Sequence, residues 1–238
     1  MRLIPYDTPQ ASDREHAILY NSLACDYSHP AVHSSYRILV DHLMEQYKLL
    51  CDNGIVFTFT KRGTSTSRDL FSAMEKKHPI PVLLTSAAGA LPEDHPFLAD
   101  SGVSYDAHHL CINDIFRAVH DIVGHYVPNA TFSPQGEFRS WIAHITTLPQ
   151  DAWLALWCET RGQNASTNFS GDVNYRPRRE RPFAPQKAGF VPLEDIFGPA
   201  RERIMRELTR PLVVHSVSPE VDEIFRPERV RHYLNTIG

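Results

Sequence analysis

Two histidines five residues apart stand out in segment 116–125, where an aspartate follows the first and a glycine precedes the second: His120, Asp121, Gly124 and His125. Histidine is the most common metal ligand in proteins. On a regular helix, residues five apart point about 140° away from each other. The two imidazoles can therefore meet at one ion only if the helix bulges or ends, and Gly124 permits either change at little steric cost. This spacing predicts a metal site on a distorted helix.

A third protein ligand would complete such a site. If this ligand is a carboxylate and the remaining coordination positions stay open, the site suits ferrous iron and dioxygen. The first candidate is Glu159, which follows two tryptophans on a helix predicted over 148–161. The alternative ligands are Glu137 and His144, which lie seven residues apart and so share one face of a helix. Their presence leaves the identity of the third ligand open.

Further polar and aromatic side chains near these ligands predict how a substrate would be held. Asp121 is expected to orient a water, cofactor or ligand beside the metal. An arginine and two amides just beyond Glu159 would hold a polar or carboxylate-bearing substrate through charge-assisted hydrogen bonds. The candidate substrate contacts are Arg161, Gln163, Asn164 and Trp157.

The sequence HDIVGHYVP at 120–128 resembles the His-Asp/Glu-x-x-Gly-His-Val-Pro signature of the aromatic amino acid hydroxylases. The helices around Trp141 and Glu159 are similar to further blocks of that family, and the match spans residues 113–165. The resemblance implies a mainly helical catalytic fold that uses ferrous iron, dioxygen and a tetrahydropterin. It implies a facial triad of His120, His125 and Glu159, with Asp121 beside the pterin. Metal ligation carries over from this match more directly than use of a pterin.

The predicted function is therefore oxygen-dependent oxidation of a small substrate, aromatic or amino-acid-like, by one non-haem iron. Three other interpretations stay open. The doublet at 120–121 is also typical of His-Asp metal-dependent phosphohydrolases, which would need a further histidine and a distal aspartate. Glu137, His144 and Glu159 together would suit a carboxylate-bridged di-iron oxygenase. A helical interaction domain would use the histidines only for structure.

Helices must position most of these side chains, because the sequence predicts a mainly α fold with minor β structure. The whole chain, 1–238, is expected to form a single catalytic domain with the metal-site core at about 108–165. Two capping patterns predict helix starts, Ser12 with Glu15 and Thr147 with Gln150, and Asn113 or Asp114 predicts a third. Hydrophobic periodicity and breakers predict helices over 31–50, 67–77, 113–124, 137–144, 148–161, 193–208 and 219–236, strands over 55–60 and 80–85, a loop over 86–112, and an Arg- and Pro-rich loop over 170–191.

Composition predicts a cytoplasmic globular protein. With 238 residues, 42% of them hydrophobic, the chain can bury a sizeable core. A formal net charge of -4 argues against nucleic acid as a partner. The four cysteines are widely spaced and are expected to be reduced, and neither a secretion signal nor a membrane span is predicted. The expected partners are a small-molecule substrate and dioxygen, and the amphipathic C-terminal helices offer a surface for a homodimer.

Overall fold

The computed structural model describes residues 8–88 and 91–237. Residues 1–7, 89, 90 and 238 lie outside these ranges, and with them the start of the segment for which no secretion signal is predicted. The elements are, in chain order, α1 (Ala11–Ser22), α2 (Pro30–Asp52), β1 (Phe57–Thr60), α3 (Ser67–Glu75), β2 (Ile80–Leu83), α4 (Thr85–Ala88), β3 (Asp100–Tyr105), β4 (His108–Cys111), α5 (Ile112–Val119), the first π-helix (His120–Tyr126), α6 (Pro134–Thr147), α7 (Trp153–Trp157), the second π-helix (Cys158–Gly162), α8 (Gln163–Phe169), α9 (Leu193–Phe197), α10 (Arg201–Glu207), α11 (Pro219–Asp222) and α12 (Pro227–Thr236).

Helices form most of the fold, as predicted, and the strands pair into two small sheets. The long helix α2 buries Leu39, Leu43 and Leu50, which recur at helical spacing, and packs against α5 and α7. In the described residues one hydrophobic cluster runs from Tyr20 in α1 to Leu234 in α12. The helices that carry the site residues are therefore embedded in a continuous core. No helix in the described ranges combines the length and the apolar composition that a membrane crossing requires.

Three predicted helix starts are corrected. Helix α1 has Gln10 as its N-cap, and the backbone N–H of Gln10 donates to Asp13 Oδ2 at 2.8 Å. The predicted capping box of Ser12 with Glu15 is therefore not formed. At α5 the same geometry joins Cys111 N to Asp114 Oδ2 at 3.0 Å. The hydroxyl of Thr147 instead donates to a carbonyl within α6, and a 3₁₀ turn over Gln150–Ala152 precedes α7.

The two sheets are short. Strands β1 and β2 are parallel, with Phe57 opposite Ile80, and confirm both predicted strands. Strands β3 and β4 form an antiparallel hairpin within the region predicted as loop. Most residues of β3 are exposed or half-buried and a register shift interrupts the pairing, so the sequence lacks the apolar alternation that predicts a strand. The hairpin turns at Asp106, whose φ of 51° lies in the left-handed region.

The C-terminal region covers α6 from outside. The two helices predicted here are each broken into two, α9 with α10 and α11 with α12. Gly198 follows α9, and Pro227 begins α12 because a proline ring fits the first turn of a helix but not its interior. The backbone N–H of Arg226 donates to Thr146 O at 2.8 Å. The Arg- and Pro-rich segment 170–191 contains only 3₁₀ turns, in agreement with the predicted loop.

Candidate metal centre

The structure brings together His120, His125 and Glu137. The Nε2 atoms of the two histidines lie 3.0 Å apart. The carboxylate oxygens of Glu137 lie 3.6 Å from His120 Nε2 and 3.5 Å from His125 Nε2. In the part of the chain that the structure describes, this is the one group of three such residues whose ligand atoms all lie within 4.8 Å of one another. Two imidazoles and one carboxylate are the donor set typical of mononuclear non-haem iron sites.

The first π-helix explains how two histidines five apart reach one point. A π-helix closes hydrogen bonds between residues five apart rather than four, so that residues at this spacing fall on one side. Val127 N donates to Ile122 O at 2.9 Å, which is a bond of this type. The predicted bulge in the helix is therefore confirmed.

His125 is already in the protonation state that a metal ligand requires. Its Nδ1 lies 3.1 Å from the carbonyl oxygen of Ala130. A carbonyl can only accept a hydrogen bond, so Nδ1 carries the proton and Nε2 presents a lone pair to the group. Burial lowers the pKa of His125 to about 4, and the ring is therefore neutral near pH 7.

Glu137 contributes the negative charge of the group. It lies in the first turn of α6, a helix capped by the hydroxyl of Ser133, which accepts from Gly136 N at 3.0 Å. Burial alone would raise the pKa of Glu137, but His125 and His120 outweigh that effect and the pKa is lowered. The side chains of His120 and Glu137 are 19% and 21% exposed, so solvent reaches one side of the group.

Glu159, the first candidate for the third ligand, lies in a different environment, outside this group. It belongs to the second π-helix, and its side chain is fully buried. One oxygen accepts a short hydrogen bond from the hydroxyl of Tyr36 and lies 3.0 Å from His95 Nε2. The other accepts from Gln186 Nε2 at 2.7 Å. The three residues that contact Glu159 come from segments far away in sequence, so no local pattern could have predicted them.

His144, the other alternative ligand, meets His120 on the side away from the group. Its Nε2 lies 3.1 Å from His120 Nδ1, whereas the atom of His120 that faces His125 is Nε2. His144 is fully buried, and burial lowers its pKa well below the ordinary value. It therefore contacts a candidate ligand instead of acting as one.

Gly124 is needed because α6 approaches the first π-helix closely. A Cβ atom at this position would lie 2.3 Å from Ser140 Oγ, 2.8 Å from His144 Nε2 and 3.1 Å from His120 Nδ1. The glycine that permits the bulge thus also leaves room for the contact between the two histidines.

Replacing Gly124 with alanine is expected to weaken metal binding by about 10- to 100-fold, the range typical for loss of a contact that orients a ligand. The new methyl group must push His144 or His120 aside, and overpacking of this kind costs about 1–3 kcal/mol. Titration of the purified variant with Co²⁺, followed by absorption, measures the affinity. Adding Ser140→Ala removes the atom nearest to the methyl group and should restore part of the loss. Unchanged affinity in G124A would contradict the proposed role of this contact.

Of the four predicted substrate contacts, Gln163 alone reaches a large cavity. Arg161 is enclosed in an ion cluster, with its Nη2 2.6 Å from Asp13 Oδ1. Trp157 is fully buried and packs edge-on against Tyr20. Asn164 follows Gln163 on α8 and does not line the cavity. Positions just past a carboxylate on a helix point in several directions, so sequence proximity was a poor guide here.

The cavity has a volume of about 810 Å³ and joins the neighbourhoods of Asp121 and Glu159. Arg117 and Gln163 also line it, and Phe183, which is 80% exposed, stands at its edge. His120, His125 and Glu137 do not line the cavity. Asp121, the residue after His120, does line it. Burial raises the pKa of Asp121 to about 7; His120 and Arg117 oppose this increase, and Glu137 adds to it. A carboxyl group able to hold or release a proton near neutral pH therefore faces this cavity.

Comparisons with protein-family models, with curated proteins and with solved structures found no match for this chain.

Proposed function

We propose that this protein is a mononuclear non-haem iron oxygenase in which His120, His125 and Glu137 hold one ferrous ion. The observation that supports this most is the convergence of these three side chains, which depends on the first π-helix and on the close approach of α6 at Gly124. The resemblance of segment 120–128 to the aromatic amino acid hydroxylase signature supports the same chemistry. Glu137 takes the place that the resemblance alone would give to Glu159.

The residues fit a divalent ion by charge as well as by donor type. Two neutral imidazoles and one carboxylate give the group a charge of -1, so that a bound ferrous ion leaves a net charge of +1. Such a site favours anionic ligands and reduced oxygen species. When bound, the ferrous ion would supply electrons to dioxygen and so activate it for oxidation of the substrate.

The cavity between Asp121 and Glu159 is the proposed substrate site. Phe116, which lies 5.5 Å from the ring of His120 between centroids, forms an apolar part of its wall. Arg117 donates to Leu83 O at 3.0 Å and brings a positive charge to the same wall. Asp121 orients the substrate or a water from beside His120. This arrangement suits a small substrate with an apolar body and a polar or anionic end.

The other interpretations receive less support from the contacts. His95, a candidate for the additional histidine of a phosphohydrolase, contacts Glu159 instead of Asp121. A di-iron site would need Glu159 and His144 beside Glu137, but Glu159 is bound by Tyr36 and Gln186 and His144 contacts only the far side of His120.

Metal analysis combined with oxygen uptake tests the proposal. Protein purified without oxygen and incubated with Fe²⁺ is expected to retain about one iron per chain. Oxygen consumption should then depend on a small aromatic or amino-acid-like substrate and on a reductant, with ascorbate and a tetrahydropterin compared in separate reactions. Two irons per chain would favour the di-iron alternative, phosphate release from nucleotides without oxygen would favour a phosphohydrolase, and no bound metal would leave a purely structural role for the histidines.

A further inference from the structure

His144 is a fully buried histidine that no part of the proposed reaction uses. It lies on α6, two helical turns after Glu137, and its ring is parallel to that of His120 with an interplanar angle of 0°. Its Nε2 lies 3.1 Å from His120 Nδ1. Its Nδ1 is buried and has no hydrogen-bond partner among the described residues. Among the described residues, the contact with His120 is therefore the one hydrogen bond that the His144 side chain makes.

What this hydrogen bond does depends on which nitrogen of His120 carries the proton. To bind an ion through Nε2, the neutral His120 ring must carry its proton on Nδ1. That N–H then needs an acceptor, and His144 Nε2 lies in the position to accept it. In the opposite arrangement His144 Nε2–H would donate to His120 Nδ1, and His120 Nε2–H would point at His125 Nε2, only 3.0 Å away. Such a proton would occupy the place of the ion.

We propose that His144 is a positioning residue that accepts a hydrogen bond from His120 Nδ1 and thereby directs the lone pair of His120 Nε2 toward the metal. This rests on the proposed metal site and assigns to His144 a function distinct from ligation. Ligating histidines in proteins usually donate their second N–H to a carboxylate, a carbonyl or a water. His125 follows this pattern with Ala130 O, whereas His120 has an imidazole in the same role.

The packing around Gly124 supports a specific role for the His144 ring. The Cβ position of this glycine lies within 3.1 Å of polar atoms of both His120 and His144. A residue with a side chain would separate the two rings. The contact between His120 and His144 is therefore possible because the residue nearest to both rings is a glycine.

The test compares three variants of the full chain by titration with Co²⁺ and Zn²⁺ under conditions in which circular dichroism shows that each is folded. His144→Phe keeps an aromatic ring but removes the acceptor, and it is expected to weaken Co²⁺ binding about 10- to 100-fold. His144→Gln offers an amide oxygen as acceptor and should recover most of the affinity. Ser140→Ala, one turn earlier on the same helix and equally buried, is the matched control and should bind as the wild type does.

A second measurement reports directly on the proton. In the Zn²⁺-loaded wild-type protein, labelled with ¹⁵N at histidine, NMR should show His120 protonated at Nδ1 and His144 protonated at Nδ1 only. A proton on His144 Nε2, or equal affinities of H144F and S140A, would overturn the positioning role. If wild-type protein binds neither ion, the proposed metal site itself fails, which is a different outcome from loss of the His144 effect alone.

Discussion

Replacing Glu137 with glutamine is expected to remove the metal from the protein, whereas replacing Glu159 with glutamine is expected to leave it bound. Glu137 provides the only negative charge in the group that it forms with His120 and His125. Its amide would leave two neutral imidazoles, which hold a divalent ion far less tightly than three ligands do. The loss should exceed the roughly 10- to 100-fold effect typical of residues that only orient ligands. Iron content after anaerobic purification and a Co²⁺ titration measure it.

Glu159→Gln is the matched control for this experiment, because it makes the same chemical change at a buried glutamate of the second π-helix, outside the group. The side chain of Glu159 is held by Tyr36, His95 and Gln186 away from the group, so its amide should alter the cavity but not metal content. The reverse result, with iron kept in E137Q and lost in E159Q, would return the third ligand to Glu159. It would also show that the helices move relative to this structure when the ion binds.

Replacing Asp13 with asparagine is expected to destabilise the protein by about 3–5 kcal/mol, the cost typical of removing one partner from a buried ion pair. Asp13 Oδ1 accepts hydrogen bonds from Arg161 and Arg203, each at 2.6 Å, and its side chain is 1% exposed. Without the carboxylate two guanidinium groups would stand next to each other beside the ring of Phe138. Urea unfolding at pH 7 gives the change in the free energy of unfolding.

The exposed pair formed by Lys48 and Asp52 supplies the control, since Asp52→Asn also removes a paired carboxylate. Surface pairs of this kind contribute about 0–1 kcal/mol, so D52N should unfold almost as the wild type does. Equal effects of D13N and D52N would contradict the importance of the buried cluster.

The same cluster predicts part of the pH dependence of stability. Burial alone would raise the pKa of Asp13, but Arg161 and Arg203 outweigh it and hold the pKa below its ordinary value. A carboxyl group with a lowered pKa in the folded state stabilises the protein fully above its unfolded pKa of about 3.9 and loses that contribution as the pH falls through the folded value. Unfolding free energy should therefore drop more steeply below about pH 4 in the wild type than in D13N.

The part of the site that the sequence could predict is the part that is local. His120, Gly124 and His125 lie within six residues, and two histidines at this spacing can meet at one ion only where the helix bulges or ends. The structure contains the bulge. The choice between Glu137 and Glu159 was not local, because both lie on helices with buried faces and either could in principle have faced the histidines. Which one does so depends on how α6 packs against the first π-helix, and this packing is set by the whole core.

The same distinction applies to the fold. Helix α2 was predictable because its buried leucines repeat with helical period, and strands β1 and β2 were predictable from their β-branched and aromatic residues. The hairpin of β3 and β4 was missed because its side chains remain largely in contact with solvent and carry no apolar alternation. The roles of Tyr36 and His95 were missed because their contact with Glu159 joins residues more than 60 positions apart.

The first π-helix brings His120 and His125, which are five residues apart, to the same side. In an α-helix two side chains four residues apart would share a side, so the π-helix contains one additional residue. Deleting one residue between His120 and His125 would leave the histidines four apart, a spacing that places them on one face of a regular helix. It would also rotate everything beyond the deletion by about 100° and shift it by about 1.5 Å along the axis. The contact of His125 with Ala130 O and that of His120 with His144 on α6 would then be lost. In this segment the number of residues is thus constrained as well as the identities of His120, Gly124 and His125, and relatives that share the chemistry should have the same length here.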